Sequence, residues 1–245
     1  MKDEYLKLAY DYDEFGKIED YLGEEQSFFK KIFTENHVTE VLDCACGTGQ
    51  HLLMLHDLGL MVSGSDYSPS MIDVASENLQ SRGVSIPMEI CDFRYLEQKF
   101  QQTYGAVVCL TNSLPHLHSD EDLIKALTSM KNRLRGDGLL VLTSGITDYT
   151  LTLPRIETVV NRQDFSRIFV KEHSTQFLTI NILDLFHSEK RLESNQYEII
   201  YRVLLEKDYR RLLSEAGYTE VEVYGDYQMN PYTKKSMRLI VVARK

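Results

Sequence analysis

Long apolar runs are missing from this chain. No segment of its 245 residues approaches the roughly 20 consecutive apolar residues of a membrane span, and no early stretch joins a basic start to a long apolar run. Basic residues are in deficit. Against 37 acids stand 27 lysines and arginines, a formal charge of −10, which opposes docking on a nucleic-acid backbone or an anionic membrane. Cysteine is scarce: Cys44, Cys46, Cys91 and Cys109 form no C-x-x-C pair, so they imply no metal and read as buried, reduced thiols that pack as small hydrophobes. Repeats and low-complexity tracts are absent. These absences leave a soluble, cytoplasmic protein, long enough for one large α/β core with a modest insertion.

What is present begins with a strand that runs into glycines, Val41-Leu42-Asp43-Cys44-Ala45-Cys46-Gly47-Thr48-Gly49. Val41 and Leu42 supply the apolar surface of a sheet covered on both faces, and Asp43 interrupts it. Gly47 and Gly49 permit positive φ and leave no Cβ to hold a ligand off the backbone. A helix follows over 50–58. Such a turn serves dinucleotides, phosphates and much else. The next strand, Met61-Val62-Ser63-Gly64-Ser65-Asp66, narrows the choice by ending in an acid 17 residues beyond Gly49, where a carboxylate accepts hydrogen bonds from both hydroxyls of a ribose. A dinucleotide loop reads G-x-G-x-x-G, whereas Leu52 stands here in the third glycine's place; a pyrophosphate is poorly served.

Strands alternate with helices from 38 to about 144, which implies parallel connections. A helix over 69–82 has Pro69 just inside its start and Gly83 at its stop. A third strand is expected over 85–91. The fourth, Ala106-Val107-Val108-Cys109-Leu110, is almost continuously apolar, as a central parallel strand should be. Ser119 caps a helix over 120–135, and Gly136-Asp137-Gly138 turns the chain into a strand over 139–143. From 150 to about 205 strand follows strand, with a polar turn at Ser188-Glu189-Lys190, which reads as an antiparallel insertion. A helix over 207–216 stops at Gly217, and strands over 219–224 and 237–243 close the sheet as an antiparallel edge pair. Ahead of all this, Phe28, Phe29, Ile32 and Phe33 recur at helical spacing, preceded by Tyr5, Tyr10, Tyr12 and Tyr21.

The loop 41–49, then Gly64-Ser65-Asp66-Tyr67-Ser68-Pro69-Ser70-Met71-Ile72, then Cys91-Asp92-Phe93 resemble the ordered motifs of class I S-adenosylmethionine-dependent methyltransferases, over most of the chain. The resemblance implies a Rossmann-like, doubly wound, mostly parallel sheet, with S-adenosyl-L-methionine as cofactor and S-adenosyl-L-homocysteine as product. It divides the chain into an N-terminal helical lid (1–37), a cofactor-binding core (38–149), an insertion over the acceptor site (150–205) and a C-terminal part of the core (206–245). It puts Gly47 and Gly49 against the methionine portion of the cofactor. Asp43 then faces the ammonium or orders the loop, Asp66 holds the ribose, and Asp92 accepts from the adenine amino group. Phe93 and Tyr67 offer surface to the ring, and Ala45, Met71, Cys91, Leu110 and Tyr12 complete the cofactor-contacting set.

Methyl transfer needs orientation and desolvation more than it needs a base. A neutral amine attacks without prior proton removal, whereas a hydroxyl needs a proton acceptor, and His116 is the only obvious one. Val108-Cys109-Leu110-Thr111-Asn112-Ser113-Leu114-Pro115-His116-Leu117 resembles the strand and loop of the glycine/sarcosine N-methyltransferase group, where an asparagine faces the acceptor; Asn112 matches it. Gly138-Leu139-Leu140-Val141, Asp148-Tyr149 and the ending from Gly225-Asp226 to Arg244 extend that likeness. One departure bears on the substrate. The group's arginine after the fifth strand is missing from Thr143-Ser144-Gly145-Ile146-Thr147-Asp148-Tyr149, no arginine precedes Arg82, and Arg155 and Arg202 are the nearest replacements. Tyr5, Tyr12, Tyr149 and Tyr201 are candidates to ring an amine pocket.

The expectation is therefore N-methylation of a small amine or amino acid of glycine/sarcosine type, with Asn112, His116 and Tyr149 at the acceptor. The competing readings are an O-methyltransferase of a larger metabolite, a non-catalytic cofactor-binding module and an NAD-dependent oxidoreductase. A nucleobase enzyme is disfavoured, because Asn112-Ser113-Leu114-Pro115 is not the N-P-P-Y type of signature.

Overall fold

The structure is a computed structural model that describes residues 8–13, 22–187 and 192–245. Seven strands form the main sheet: β1 (Glu40–Asp43), β2 (Met61–Asp66), β3 (Met88–Ile90), β4 (Tyr104–Cys109), β5 (Leu134–Ser144), β10 (Thr219–Tyr224) and β11 (Leu239–Arg244). Their order is β10-β11-β5-β4-β1-β2-β3. The first five run parallel. β11 is antiparallel to β5 and β10 antiparallel to β11, so the last strand of the chain lies inside the sheet and β10 is its edge.

Alternate residues of each strand feed opposite layers. Val41, Val62, Val108, Val141 and Ile240 meet Leu52 and Leu55 of α3 (Gln50–Asp57) and Leu79 of α4 (Pro69–Ser81). Leu42, Val107, Leu140 and Val241 meet Leu123, Leu127 and Met130 of α5 (Asp120–Asn132) and Leu212 and Leu213 of α6 (Glu206–Glu215). β4 has six buried residues out of six, as its composition demands.

The caps follow the local sequence. Ser68 accepts from the Met71 N–H at 3.2 Å ahead of Pro69, and Ser119 accepts from the Asp122 N–H at 3.1 Å. α5 ends at Asn132, three residues earlier than its pattern suggests. β5 has already begun at Leu134, and Tyr104 pairs with Leu134 while Ala106 pairs with Leu139, a bulge that absorbs the Gly136-Asp137-Gly138 turn inside the strand.

Within the first 37 residues, α2 (Leu22–Glu35) packs on the sheet. Its Phe28, Phe29, Ile32 and Phe33 are at most 3% exposed and belong to the sheet's core. Only α1 (Leu8–Tyr12) sits at the sheet's rim, with Ala9 and Tyr12 against Met71 and Val74 of α4.

A second sheet is an antiparallel meander of β6 (Ile156–Asn161), β7 (Phe165–His173), β8 (Phe177–His187) and β9 (Leu192–Arg202), in that order. One face buries Arg167, Leu178, Ile182, Asp184 and Tyr201, and Ile146 at the end of β5 packs with Leu178, Tyr201 and Val203. Among the described residues no helix is long and apolar enough to cross a membrane.

Candidate functional site

In an open α/β sheet a ligand sits beyond the carboxyl ends of the strands, and there β1 and β2 end in Asp43 and Asp66 while the pair Thr111-Asn112 and Gly145 follow β4 and β5. The loop after β1 is shaped from both sides. Gly47 and Gly49 have φ of 52° and 85°, a region costly for residues with a Cβ. At Gly49 a Cβ would also meet the Ala75 Cβ at 3.1 Å, while at Gly47 it would point into open space. Asp66 Oδ2 accepts from the Gly47 N–H and Oδ1 from the Ser68 N–H, each at 2.9 Å. Asp43 Oδ1 accepts from the Ala45 N–H at 3.1 Å, so both acids order the loop. Asp43 Oδ2 is buried and has no hydrogen-bond partner among the described residues. Burial lifts the Asp43 carboxyl to about 6.

Asp92 is engaged within the chain. It caps the 3-10 turn Phe93–Gln98 through the Arg94 N–H at 2.9 Å, and the Arg94 guanidinium grips both of its oxygens at 2.6–3.1 Å while also reaching Asp122 at 2.8 Å. An adenine amino group would have to share that carboxylate with the fork. Phe93 packs partly buried against the α5 layer; Cys91 and Leu110 are buried, and Tyr67 is half-buried beside Asp66. Met71 lines the contact with Tyr12. All four cysteines are buried free thiols.

Thr111 and Asn112 both adopt positive φ, 53° and 64°, conformations that a β-branched residue avoids and that collect at functional loops. Asn112 Oδ1 accepts from the Ser144 hydroxyl and the Gly145 N–H, each at 2.8 Å, which locks the end of β4 to the end of β5. Among the described residues its amide nitrogen makes no hydrogen bond. His116 stacks edge-on against Tyr201 with ring centroids 4.7 Å apart. Burial, reinforced by His118, pushes its pKa down to about 4, so the ring is neutral and a poor proton acceptor.

The tyrosine ring assembles only in part. Tyr12 and Tyr201 are close enough to act electrostatically on one another. Burial, with Asp66 and Asp13 nearby, lifts Tyr12 to about 12. Tyr149 is 38% exposed, and among the described residues its hydroxyl makes no hydrogen bond. Tyr5 lies outside the described residues.

Neither replacement arginine joins the site. Arg155 is exposed and paired with Glu172, and Arg202 pairs with Asp120 at the start of α5. The arginine that does lie inward is Arg167, fully buried, with both Asp184 oxygens at 2.6 Å and the Asp11 carbonyl at 2.8 Å. Its only advance signal is the β7–β8 register that sets it opposite Asp184.

Asp13 is the other residue that sequence reasoning missed. Its carboxylate accepts from Thr48 Oγ1 at 2.6 Å, Gln50 Nε2 at 3.1 Å and Asn78 Nδ2 at 2.9 Å, fastening the end of α1 to the glycine loop and α4. Two residues earlier, Asp11 accepts from Tyr197 at 2.7 Å and Asn195 at 3.2 Å on β9. The short α1 thus ties the second sheet to the glycine loop.

Comparison with known proteins agrees with this geometry. Residues 41–138 match the family described as Methyltransferase domain. A glycine/sarcosine N-methyltransferase of Aphanothece halophytica is 31% identical over 230 residues, covering 90% of this chain and 82% of that protein. An S-adenosylmethionine-dependent methyltransferase from Clostridium acetobutylicum superposes with a TM-score of 0.82 at 18% identity over 98% of each chain. The sugar N-methyltransferase KedS8 from Streptoalloteichus does so with 0.75 at 20% identity, over 96% of this chain and 92% of that one. By fold, strand-end acids and ancestry alike, the chain belongs to the class I S-adenosylmethionine-dependent methyltransferases and is an enzyme that uses S-adenosylmethionine.

Proposed function

We propose that this methyltransferase acts on the nitrogen of a small amine. The donor side supports its part of the reading: the unpartnered, buried Asp43 Oδ2 suits an ammonium, and the open space beside Gly47 suits a ligand lying on the backbone. When bound, the cofactor supplies an electrophilic methyl group on a sulfonium. The chain's own part is to orient the acceptor and exclude water. Asn112 offers its free amide N–H groups at the end of β4, Tyr201 and His116 form a packed wall, and α1 with the second sheet covers the crevice.

The observation that carries nitrogen over oxygen is the state of His116. With its pKa near 4 it lies far from the range in which a general base removes a hydroxyl proton at neutral pH. An amine that arrives neutral needs no such base. Glycine and sarcosine head the acceptors to try, because the Aphanothece relative carries that name; Arg155, Arg167 and Arg202 are each engaged by carboxylates, which favours amines without a carboxylate as the second class.

The test is mass-spectrometric product detection after incubation with S-adenosylmethionine and a panel of glycine, sarcosine, dimethylglycine, other amines and hydroxylated metabolites. A methyl gain on an amine is expected. Gain confined to hydroxyl compounds defeats the nitrogen assignment, and cofactor binding without any gain defeats turnover on this class of acceptor.

A further inference from the structure

One buried polar cluster beside the glycine loop has no part in the chemistry described so far. His51 lies in the first turn of α3, two residues past Gly49. Its Nε2 is 3.2 Å from Glu25 Oε1 on α2, and the Tyr227 hydroxyl donates to the same oxygen at 2.7 Å. The side chains of His51 and Glu25 are 21% and 10% exposed. Among the described residues the other ring nitrogen of His51, Nδ1, makes no hydrogen bond. Asp43, with its own unpartnered Oδ2, lies near enough for the two charges to act on one another.

A charge on His51 does nothing for the helix it sits on, because a cation in the first turn faces the positive end of the macrodipole. Burial opposes that charge as well, yet the hydrogen bond and charge of Glu25 override it and hold the imidazole above its ordinary pKa. The titratable and charged groups around it are Glu25 of α2, Asp43 of β1, Tyr227, and Arg238 ahead of β11. Asp43 at the end of β1 and His51 in the first turn of α3 thus flank one glycine loop, each favouring the charged form of the other. That pair mirrors an α-ammonium beside an α-carboxylate. The chain has no arginine before Arg82 to meet such a carboxylate, and Lys30 and Lys31 of α2 are exposed.

Resting on the cofactor site argued above, we propose that His51, braced by Glu25 and Tyr227, binds the α-carboxylate of the methyl donor's amino-acid end while Asp43 takes its α-ammonium. His51 is then a binding residue. Glu25 and Tyr227 are positioning residues that act through it.

Isothermal titration calorimetry on the full chain separates this role from a merely structural tie between α2 and α3. The two probes are S-adenosylhomocysteine and 5′-methylthioadenosine, which keeps the nucleoside and thioether and lacks the amino-acid end. His51→Gln should weaken S-adenosylhomocysteine about tenfold or more, the scale of one charge-assisted hydrogen bond, and leave 5′-methylthioadenosine within about twofold. Glu25→Gln should give a smaller loss that grows as pH rises towards the raised pKa of His51 and fades beyond it, because the imidazole has lost the partner that keeps it protonated, again for S-adenosylhomocysteine alone.

Equal losses for both probes would make His51 a support of the loop and overturn the proposal. An unchanged S-adenosylhomocysteine affinity would place the carboxylate elsewhere and overturn it too. A wild-type protein that binds neither probe removes the cofactor site itself, a distinguishable failure. Should the variants not fold, the wild type still decides. Decarboxylated S-adenosylhomocysteine should bind more weakly than the parent at pH 6, and the gap should narrow as pH rises past the His51 pKa; a gap that does not change with pH contradicts the assignment.

Discussion

The donor and acceptor halves proposed for this site are built on different scales. Around the glycine loop, Asp43, Gly47, Gly49, Asp66 and Ser68 lie within 26 residues of one another and are joined by short hydrogen bonds from backbone N–H groups to carboxylates. The proposed acceptor half draws on residues 11–13, 112–116, 145–150 and 167–201. Its ties span far longer separations, 156 residues from Arg167 to Asp11 and 186 from Tyr197 to Asp11. A backbone-made cradle allows few alternatives, because only particular φ values and a Cβ-free loop produce it. A side-chain-made pocket is free to vary with each long-range contact, which is why one family accommodates many acceptors.

Substitutions sharpen this contrast in a graded way. Asp66→Ala should have the largest effect, lowering S-adenosylhomocysteine affinity by about 100-fold or more in calorimetry, since two charge-assisted hydrogen bonds of roughly 1.5–3 kcal/mol each hold the loop.

Asp43→Asn comes next and has two opposed readouts. Burial lifts the folded-state pKa to about 6 from 3.8. Between those values the folded chain holds the extra proton, so stability falls as pH rises through that window. At roughly 1.4 kcal/mol per unit, the charged carboxylate costs the cofactor-free protein about 3 kcal/mol above pH 6. The asparagine variant should therefore melt at a higher Tm than wild type at pH 7.5, with the gain shrinking towards pH 4.5, while binding S-adenosylhomocysteine about tenfold more weakly. In the wild type, cofactor affinity should fall as pH drops through about 6.

Asp13→Ala tests whether the two halves are coupled. Removal of its three hydrogen bonds to Thr48, Gln50 and Asn78 should speed cofactor release about fivefold in stopped-flow measurements, the scale of about 1 kcal/mol, and raise the acceptor KM. An unaltered KM would confine α1 to the donor half. The smallest effect belongs to His116→Gln, which should change kcat on an amine by no more than about threefold. A loss of 100-fold or more would make His116 a base and turn the acceptor into a hydroxyl compound.

The same difference of scale decided what was legible in the sequence. Strand alternation, the Ser68 and Ser119 caps, and the acids at the ends of β1 and β2 are local facts, and each has its expected place. The burial of α2 was hidden because four apolar residues at helical spacing describe a core layer as well as a cover. The start of β5 at Leu134 was hidden by a bulge, which no periodicity reports. The grip of Arg94 on Asp92 was not legible, because no pattern marks an ion pair between residues two apart in a turn. Arg167 and Asp13 acquire meaning only through the register of β7 on β8 and the docking of α1.

The central claim is that methyl transfer ends on nitrogen. Incubation with S-adenosylmethionine carrying a carbon-13 methyl group, together with matched amine and alcohol acceptors, followed by carbon NMR of the products, addresses it directly. The account predicts a new N-methyl resonance from the amine and none from the alcohol. An O-methyl resonance, or full cofactor binding with no labelled product from any amine, would contradict it.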